Sequence, residues 1–117
     1  MYERILIATD GSELAGKGLS HGLALAQALR VPVVLVIGLR LGCLNHALLS
    51  ARAIAADGVH LAGWIASQVD PDMQRVDDNI AMLRARMPAP CWGMLPHAPD
   101  ADPAAMARHL RIPMLAE

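Results

Sequence analysis

Short apolar runs alternate along this chain with longer amphipathic stretches. Four runs are continuous, brief and bounded by turn residues, which is the pattern of strands buried on both faces. These predicted strands are Arg4 to Thr9, Val33 to Ile37, Leu61 to Ser67 and Cys91 to Leu95. The segment Pro113 to Leu115 is a candidate for a fifth strand at the edge of the sheet.

The stretches between the runs repeat apolar residues at helical spacing and carry recognisable start and stop signals. Ser12 can cap the first helix, and Pro32 ends it because proline disfavours helical backbone in the preceding residue. Gly58 is expected just beyond the end of the second helix. The helices are predicted to begin after Ser12, near Leu44, at Asp70-Pro71-Asp72 and at Asp102-Pro103, the last one continuing to Leu110.

Alternation of strand and helix predicts an α/β fold with a parallel sheet of four to five strands joined by helical crossovers, a Rossmann-like or flavodoxin-like sandwich. The length of 117 residues predicts one domain over residues 1–117. Hydrophobic residues make up 55% of the sequence, which is enough to form an aliphatic core. The net charge is −1.

Composition also indicates which kinds of partner and which cellular compartment to expect. No basic stripe with interleaved aromatic residues is present, so nucleic acid is not expected as a partner. No apolar run approaches the roughly 20 residues of a membrane span, so no membrane association is expected. The widely separated Cys43 and Cys91 predict reduced thiols in a cytoplasmic protein. The histidines form no closely spaced pair, so neither a metal nor another cofactor is expected.

The first segment, from residue 1 to about residue 35, resembles the opening of a universal stress protein. The resemblance rests on Ile5-Leu-Ile-Ala-Thr-Asp-Gly-Ser-Glu13 and on the helix Ser20 to Leu29. It implies that Asp10 lies at an adenosine pocket, although the late glycine motif that holds phosphates in that family is absent. The alternative is that Asp10 shapes the turn by accepting from the backbone of Ser12 or Glu13.

Residues from about 31 to 115 resemble the C-terminal half of dethiobiotin synthetase. The matching segments are Leu41 to Ser50, Leu61 to Ala66 and Met87 to Gly93. The resemblance implies that Gly42, Cys43, Leu44 and Asn45 form a helix N-terminus that contacts the carboxylate of diaminopelargonic acid across a dimer interface, where free N–H groups favour an anion. The alternative is structural: Gly42 makes the turn, Cys43 packs as a small hydrophobe and Asn45 caps its own helix.

Two positions depart from the pattern of that family. The family recognises the nucleotide base with an asparagine just after its third matching strand, and this chain has Ser67 there. The family also begins with a phosphate loop that ends in Gly-Lys-Thr. The only comparable residues here, Gly16-Lys17-Gly18, lack the Ser/Thr and fall inside the predicted first helix, on its solvated face.

Taken together, the two resemblances predict a recombined, engineered chimera, with residues 1 to about 33 from one family and about 34 to 117 from the other. Such a domain would fold but would not be an enzyme, because no phosphate-binding residues remain. The alternatives are an adenine-nucleotide binder of the universal stress type, residual ligand binding of the synthetase type, or a working synthetase.

Strand order decides what covers the sheet. If both segments keep the geometry of their families, the strands follow chain order and all crossover helices lie on one face. The favoured consequence is a homodimer, through the uncovered sheet face or through the Gly42 to His46 region. A flavodoxin-like order, two-one-three-four-five, would instead cover both faces in a monomer.

Overall fold

The computed structural model describes residues 3–113 and contains one parallel sheet with helices between its strands. The elements are β1 (Ile5–Thr9), α1 (Glu13–Leu29), β2 (Val33–Gly38), α2 (Cys43–Ala56), β3 (Leu61–Ser67), α3 (Val76–Arg86), β4 (Cys91–Leu95) and α4 (Pro103–Ala107). All neighbouring strands are parallel, and their order is β1-β2-β3-β4. The α/β class and the chain-order arrangement are therefore confirmed, and the flavodoxin-like order is wrong.

The main core lies between the sheet and the three long helices. Leu23 of α1, Ile54 of α2 and Leu83 of α3 share one buried cluster with the alternate β2 residues Val33 and Leu35. Because side chains alternate across a strand, this shared cluster places α1, α2 and α3 on a single face of the sheet. No helix of the described residues is long and apolar enough to cross a membrane.

Within the part of the chain that the structure describes, the second face is covered mainly near β4. The Trp92 indole lies across Gly63, where an added Cβ would collide with the ring, and it packs with Val34 and Ile65. The chain after α4 returns along β4, since Leu110 forms an antiparallel bridge with Gly93. Among residues 3–113, no helix or returning segment covers the β1 end of this face. The sandwich is therefore partly open.

Strand β1 corrects one sequence-based expectation. The run Arg4 to Thr9 was expected to be buried on both faces, but burial alternates along β1. Ile7 is buried, whereas the Leu6 side chain is 62% exposed. The reason is the strand order: β1 lies at the edge of the sheet, and Leu6 faces the second side of the sheet, which no other element of residues 3–113 covers at this end.

Most helix boundaries agree with the sequence-based prediction, and two do not. The Ser12 side chain caps α1, and Gly58 follows the end of α2 with a positive φ of 71°. The prediction for α3 is wrong at its start, because residues Asp70 to Asp72 form a turn and the helix begins at Val76. Helix α4 also ends early, at Ala107. The candidate fifth strand falls largely outside the described residues.

Candidate functional site

The carboxyl ends of the parallel strands meet at one edge of the sheet, which is where α/β proteins usually bind ligands. The loops that follow β1, β2 and β3 bring the sequence-predicted site residues to this edge. A pocket of about 520 Å³ opens there, lined by Asp10 and Ser67 together with the apolar Ala8, Val36 and Val69. The structure thus brings Asp10 and Ser67 to one cavity, although they are far apart in sequence.

Asp10 has a structural role at the start of α1. Its Oδ1 accepts a hydrogen bond of 2.9 Å from the Ser12 backbone N–H, and its Oδ2 lies 3.9 Å from the Arg40 guanidinium. The hydrogen bonds from Ser12, more than the distant Arg40, lower the pKa of the Asp10 carboxyl below its usual value. The structure therefore contains the turn-forming hydrogen bond that was the alternative role for Asp10. The carboxylate also borders the pocket.

Ser67 ends β3 directly beside the loop that follows β2. Its carbonyl accepts from the Leu39 N–H at 2.8 Å and from the Val69 N–H at 2.9 Å. These bonds fix the backbone at the floor of the pocket, so the half-buried Ser67 side chain has a defined position there.

The segment Gly42 to Asn45 forms the N-terminus of α2. Gly42 is the N-cap residue with a φ of 90°, a conformation that glycine adopts without strain, and no side chain caps the helix there. Cys43 is buried, and Asn45 is an exposed residue inside the first turn. The expectation that Asn45 caps its own helix is therefore wrong, and the first-turn N–H groups of α2 have no side-chain acceptor.

A second pocket of about 430 Å³ lies between the N-termini of α2 and α3. Its lining includes Gly42, Arg75 and Asn79. The Cys43 thiol donates to Asn79 Oδ1 at 3.7 Å, and Asn79 Nδ2 donates to the Arg75 carbonyl at 2.9 Å. The sequence interpretation missed this pairing of two helix N-termini, because it began α3 at Asp70.

His46 joins two loops and was not singled out from the sequence as a site residue. Its imidazole lies against Gly11 so closely that an added Cβ there would collide with the ring, and it lies 3.4 Å from an ideal Cβ at Gly42. His46 Nδ1 is buried without a hydrogen-bond partner in the structure. The sequence signal for this contact was a glycine in each of the two loops. Glycine occurs in loops for several reasons, so it did not indicate a packed histidine.

Neither a phosphate-binding lysine nor a cluster of metal ligands is found at this edge among the described residues. Gly16-Lys17-Gly18 lies within exposed turns of α1, as expected; Gly18 borders the first pocket, but Lys17 lines neither pocket. Across residues 3–113, no cluster of His, Cys, Asp or Glu is arranged to hold a metal ion.

Comparison with known proteins identifies relatives for most of the chain. A family model described as an AAA domain matches residues 20–105. An ATP-dependent dethiobiotin synthetase, BioD, of Xanthomonas oryzae pv. oryzae (strain PXO99A) is 60% identical over 89 residues, which cover 76% of this chain and 40% of that protein. The BioD of Pseudomonas paraeruginosa is 59% identical over 86 residues, covering 74% of this chain and 38% of that protein.

Solved structures are also similar to this chain. One of them is a protein from the universal stress protein family from Burkholderia pseudomallei, with 16% sequence identity and a TM-score of 0.46, covering 77% of this chain and 95% of that one.

These relatives overturn the functional prediction made from the sequence. The expectation of an engineered chimera without enzyme activity is wrong, because natural proteins named as ATP-dependent dethiobiotin synthetases share 54–60% identity with this chain over 89 residues. The matched segment spans about 40% of those relatives. The family match itself extends over well more than half of the sequence. The chain therefore belongs to the AAA-domain family.

Proposed function

We propose that this chain is part of an ATP-dependent enzyme of the dethiobiotin synthetase type and recognises the substrate and the nucleotide base. The single observation that carries the proposal is the 60% identity to a named synthetase over 89 residues. The family match at residues 20–105 includes Gly42 to Asn45 and Ser67, and both lie at the edge of the sheet where the carboxyl ends of the strands meet.

The N-terminus of α2 is the proposed site for the substrate carboxylate. The Cys43 N–H donates to the Arg40 carbonyl at 3.0 Å, so the first-turn N–H groups of Leu44 and Asn45 are the ones left for an anion, and the helix dipole adds partial positive charge there. Gly42 has no side chain, so an anion can approach the backbone closely. The Asn45 side chain is exposed and can donate a further hydrogen bond.

The pocket that contains Asp10 and Ser67 is the proposed site for the nucleotide base and sugar. Its volume of about 520 Å³ falls in the range of small-molecule pockets, and apolar side chains form most of its walls. The Ser67 hydroxyl provides one donor and two acceptor positions for a base edge. The Asp10 carboxylate accepts hydrogen bonds, which suits sugar hydroxyl groups.

Phosphate binding is not assigned to these residues. The 117-residue sequence contains no Gly-x-x-x-x-Gly-Lys-Ser/Thr pattern, and phosphoryl transfer needs backbone N–H groups and a metal ion around the phosphates. We therefore propose that phosphate binding is supplied by a segment outside these residues, while the present segment positions the diamine substrate and the base.

Calorimetric titration with diaminopelargonic acid tests the proposal. We expect saturable binding of this substrate and much weaker binding of the corresponding diamine that lacks the carboxylate, because the α2 N-terminus recognises the anion. Equal affinity for the two compounds, or no heat from either at millimolar concentration, would contradict the proposed function.

A further inference from the structure

The Ser67 hydroxyl is the uncommitted polar group of the first pocket. Among the described residues its Oγ forms no hydrogen bond, although the side chain is half-buried. The Ser67 carbonyl accepts from the N–H groups of Leu39 and Val69, and the next N–H along the chain, that of Gln68, donates to the Leu95 carbonyl at 2.8 Å. These backbone groups are occupied within the protein, so the hydroxyl is the group left to face a ligand.

The other polar side chains that line this pocket are already engaged. Asp10 Oδ1 accepts from the Ser12 N–H at 2.9 Å, and Ser12 Oγ accepts from the Ala15 N–H at 3.0 Å. Thr9 Oγ1 accepts from Ser50 Oγ at 3.3 Å. The described lining contains no arginine, lysine, asparagine or glutamine, the side chains that most often distinguish one base edge from another. Reading of a base therefore falls to Ser67.

Strand order sets how a nucleoside can lie in this pocket. The Asp10 and Ser67 ends are about 10 Å apart, because β2 lies between β1 and β3 and neighbouring strands are about 4.8 Å apart. A nucleoside that meets Asp10 with its sugar and Ser67 with its base must therefore lie along this edge of the sheet. The unpaired backbone groups of the edge strand β1 are then on the sugar side, where they do not read the base.

The walls beside Ser67 select little by size or shape. Val69 Cγ2 lies 3.4 Å from an ideal Cβ at Gly38, so the Val69 side chain forms one wall, and Val36 lines the pocket from β2. The Val69 side chain is nevertheless 49% exposed, so this end of the pocket is open. An open apolar wall packs against the face of any base.

We propose, on the basis of the proposed nucleotide site, that this pocket binds nucleosides with little preference among bases, and that the Ser67 hydroxyl is the cause. A hydroxyl rotates, so it donates to a carbonyl or ring nitrogen and accepts from an amino or ring N–H group. A site rejects the wrong base mainly when that base leaves a buried polar group unpaired. The rotating hydroxyl finds a partner on either kind of base edge.

Amide chemical-shift titrations of the ¹⁵N-labelled chain with adenosine and with inosine test this base tolerance. The two nucleosides are nearly the same size, but they exchange donor and acceptor at positions 1 and 6 of the base. Both should shift the Ser67 and Val69 amides, with dissociation constants within about threefold of each other. Ser67→Ala should weaken both nucleosides by a similar factor.

Ser67→Asn should favour adenosine over inosine by about tenfold or more, because an amide pairs with N6 and N7 of adenine together, whereas inosine offers two acceptors there. Ser67 Oγ has no bond inside the described structure, so its replacement removes none, and circular dichroism should be unchanged. The matched control Ser20→Asn changes an exposed serine of α1 outside the pocket and should keep the wild-type ratio.

Two results would overturn the base tolerance while leaving the nucleotide site in place: a wild-type preference of about tenfold for either nucleoside, or a Ser67→Asn variant that keeps the wild-type ratio. If neither nucleoside shifts these amides, the proposed nucleotide site is wrong and the base tolerance with it. The carboxylate site at α2 is titrated separately with diaminopelargonic acid, so its success or failure is read independently.

Discussion

The His46 imidazole lies directly against Gly11, in a space that any side chain at Gly11 would need. This contact joins the loop after β1 to the first turn of α2, the two segments that border the proposed ligand sites. Gly11 also has a φ of 83°, so an added side chain would be strained as well as crowded.

Gly11→Ala should therefore lower the free energy of unfolding by about 2 kcal/mol or more. Urea denaturation gives the value. The control Gly16→Ala lies in α1 with open space around it and should raise stability by about 0.5–1 kcal/mol. In a His46→Ala background the cost of Gly11→Ala should fall, because only the backbone strain remains. An undiminished cost in that background would show that His46 is not the obstacle.

Gly42→Val should abolish binding of diaminopelargonic acid, because a branched side chain blocks approach to the α2 N-terminus. Gly58→Val is the matched control: Gly58 also has a positive φ, 71° against 90°, but lies beyond the opposite end of α2. Both variants should lose similar stability through backbone strain. Calorimetry and thermal melting together separate the two effects. Similar binding by both variants would refute a role for Gly42 in the ligand site.

A buried hydroxyl pair holds β1 to α2. Ser50 Oγ donates to Thr9 Oγ1 at 3.3 Å, and both residues are buried. Ser50→Ala should cost about 1–3 kcal/mol because the Thr9 hydroxyl is left without its partner. The double variant Thr9→Val/Ser50→Ala should cost less than the sum of the single changes in a denaturant cycle. Strict additivity would mean that the two hydroxyls are not coupled.

The Asp10 carboxylate should stabilise the fold only above its folded-state pKa. That pKa is lowered, chiefly by hydrogen bonds from Ser12, so the contribution is present near neutral pH and is lost as pH falls below about 4. Asp10→Asn should therefore reduce stability at pH 7 and make a smaller difference at pH 3. Urea unfolding at both pH values measures this. A larger difference at pH 3 would reverse the assigned sign.

Strand positions were predictable because the apolar runs are short and sharply bounded. The spans of β3 and β4 agree with the sequence-based prediction to the residue. The start of α3 was not predictable from the Pro71 signal, because the Asp70 side chain accepts from the Asp72 N–H at 2.9 Å and stabilises a turn instead of a helix. A side chain that hydrogen-bonds a nearby backbone N–H in this way leaves no trace in the spacing of apolar residues.

The candidate site was only partly predictable for a different reason. Gly42 and Ser67 were identified through a family resemblance. A resemblance indicates which positions matter but not which side chains they contact. The His46–Gly11 contact and the Cys43–Asn79 hydrogen bond depend on which strands are neighbours. Strand order is a long-range property: the His46–Gly11 contact requires β1 beside β2, and the Cys43–Asn79 bond requires α2 and α3 to lie side by side.

The most direct test of the central claim is an amide chemical-shift titration of the ¹⁵N-labelled chain with diaminopelargonic acid. The proposed site predicts that the largest, saturable shifts occur at the backbone N–H groups of Leu44 and Asn45, and that they disappear in Gly42→Val but persist in Gly58→Val. Absence of shifts at these amides, or shifts centred at the opposite end of α2, would contradict substrate recognition at this helix N-terminus.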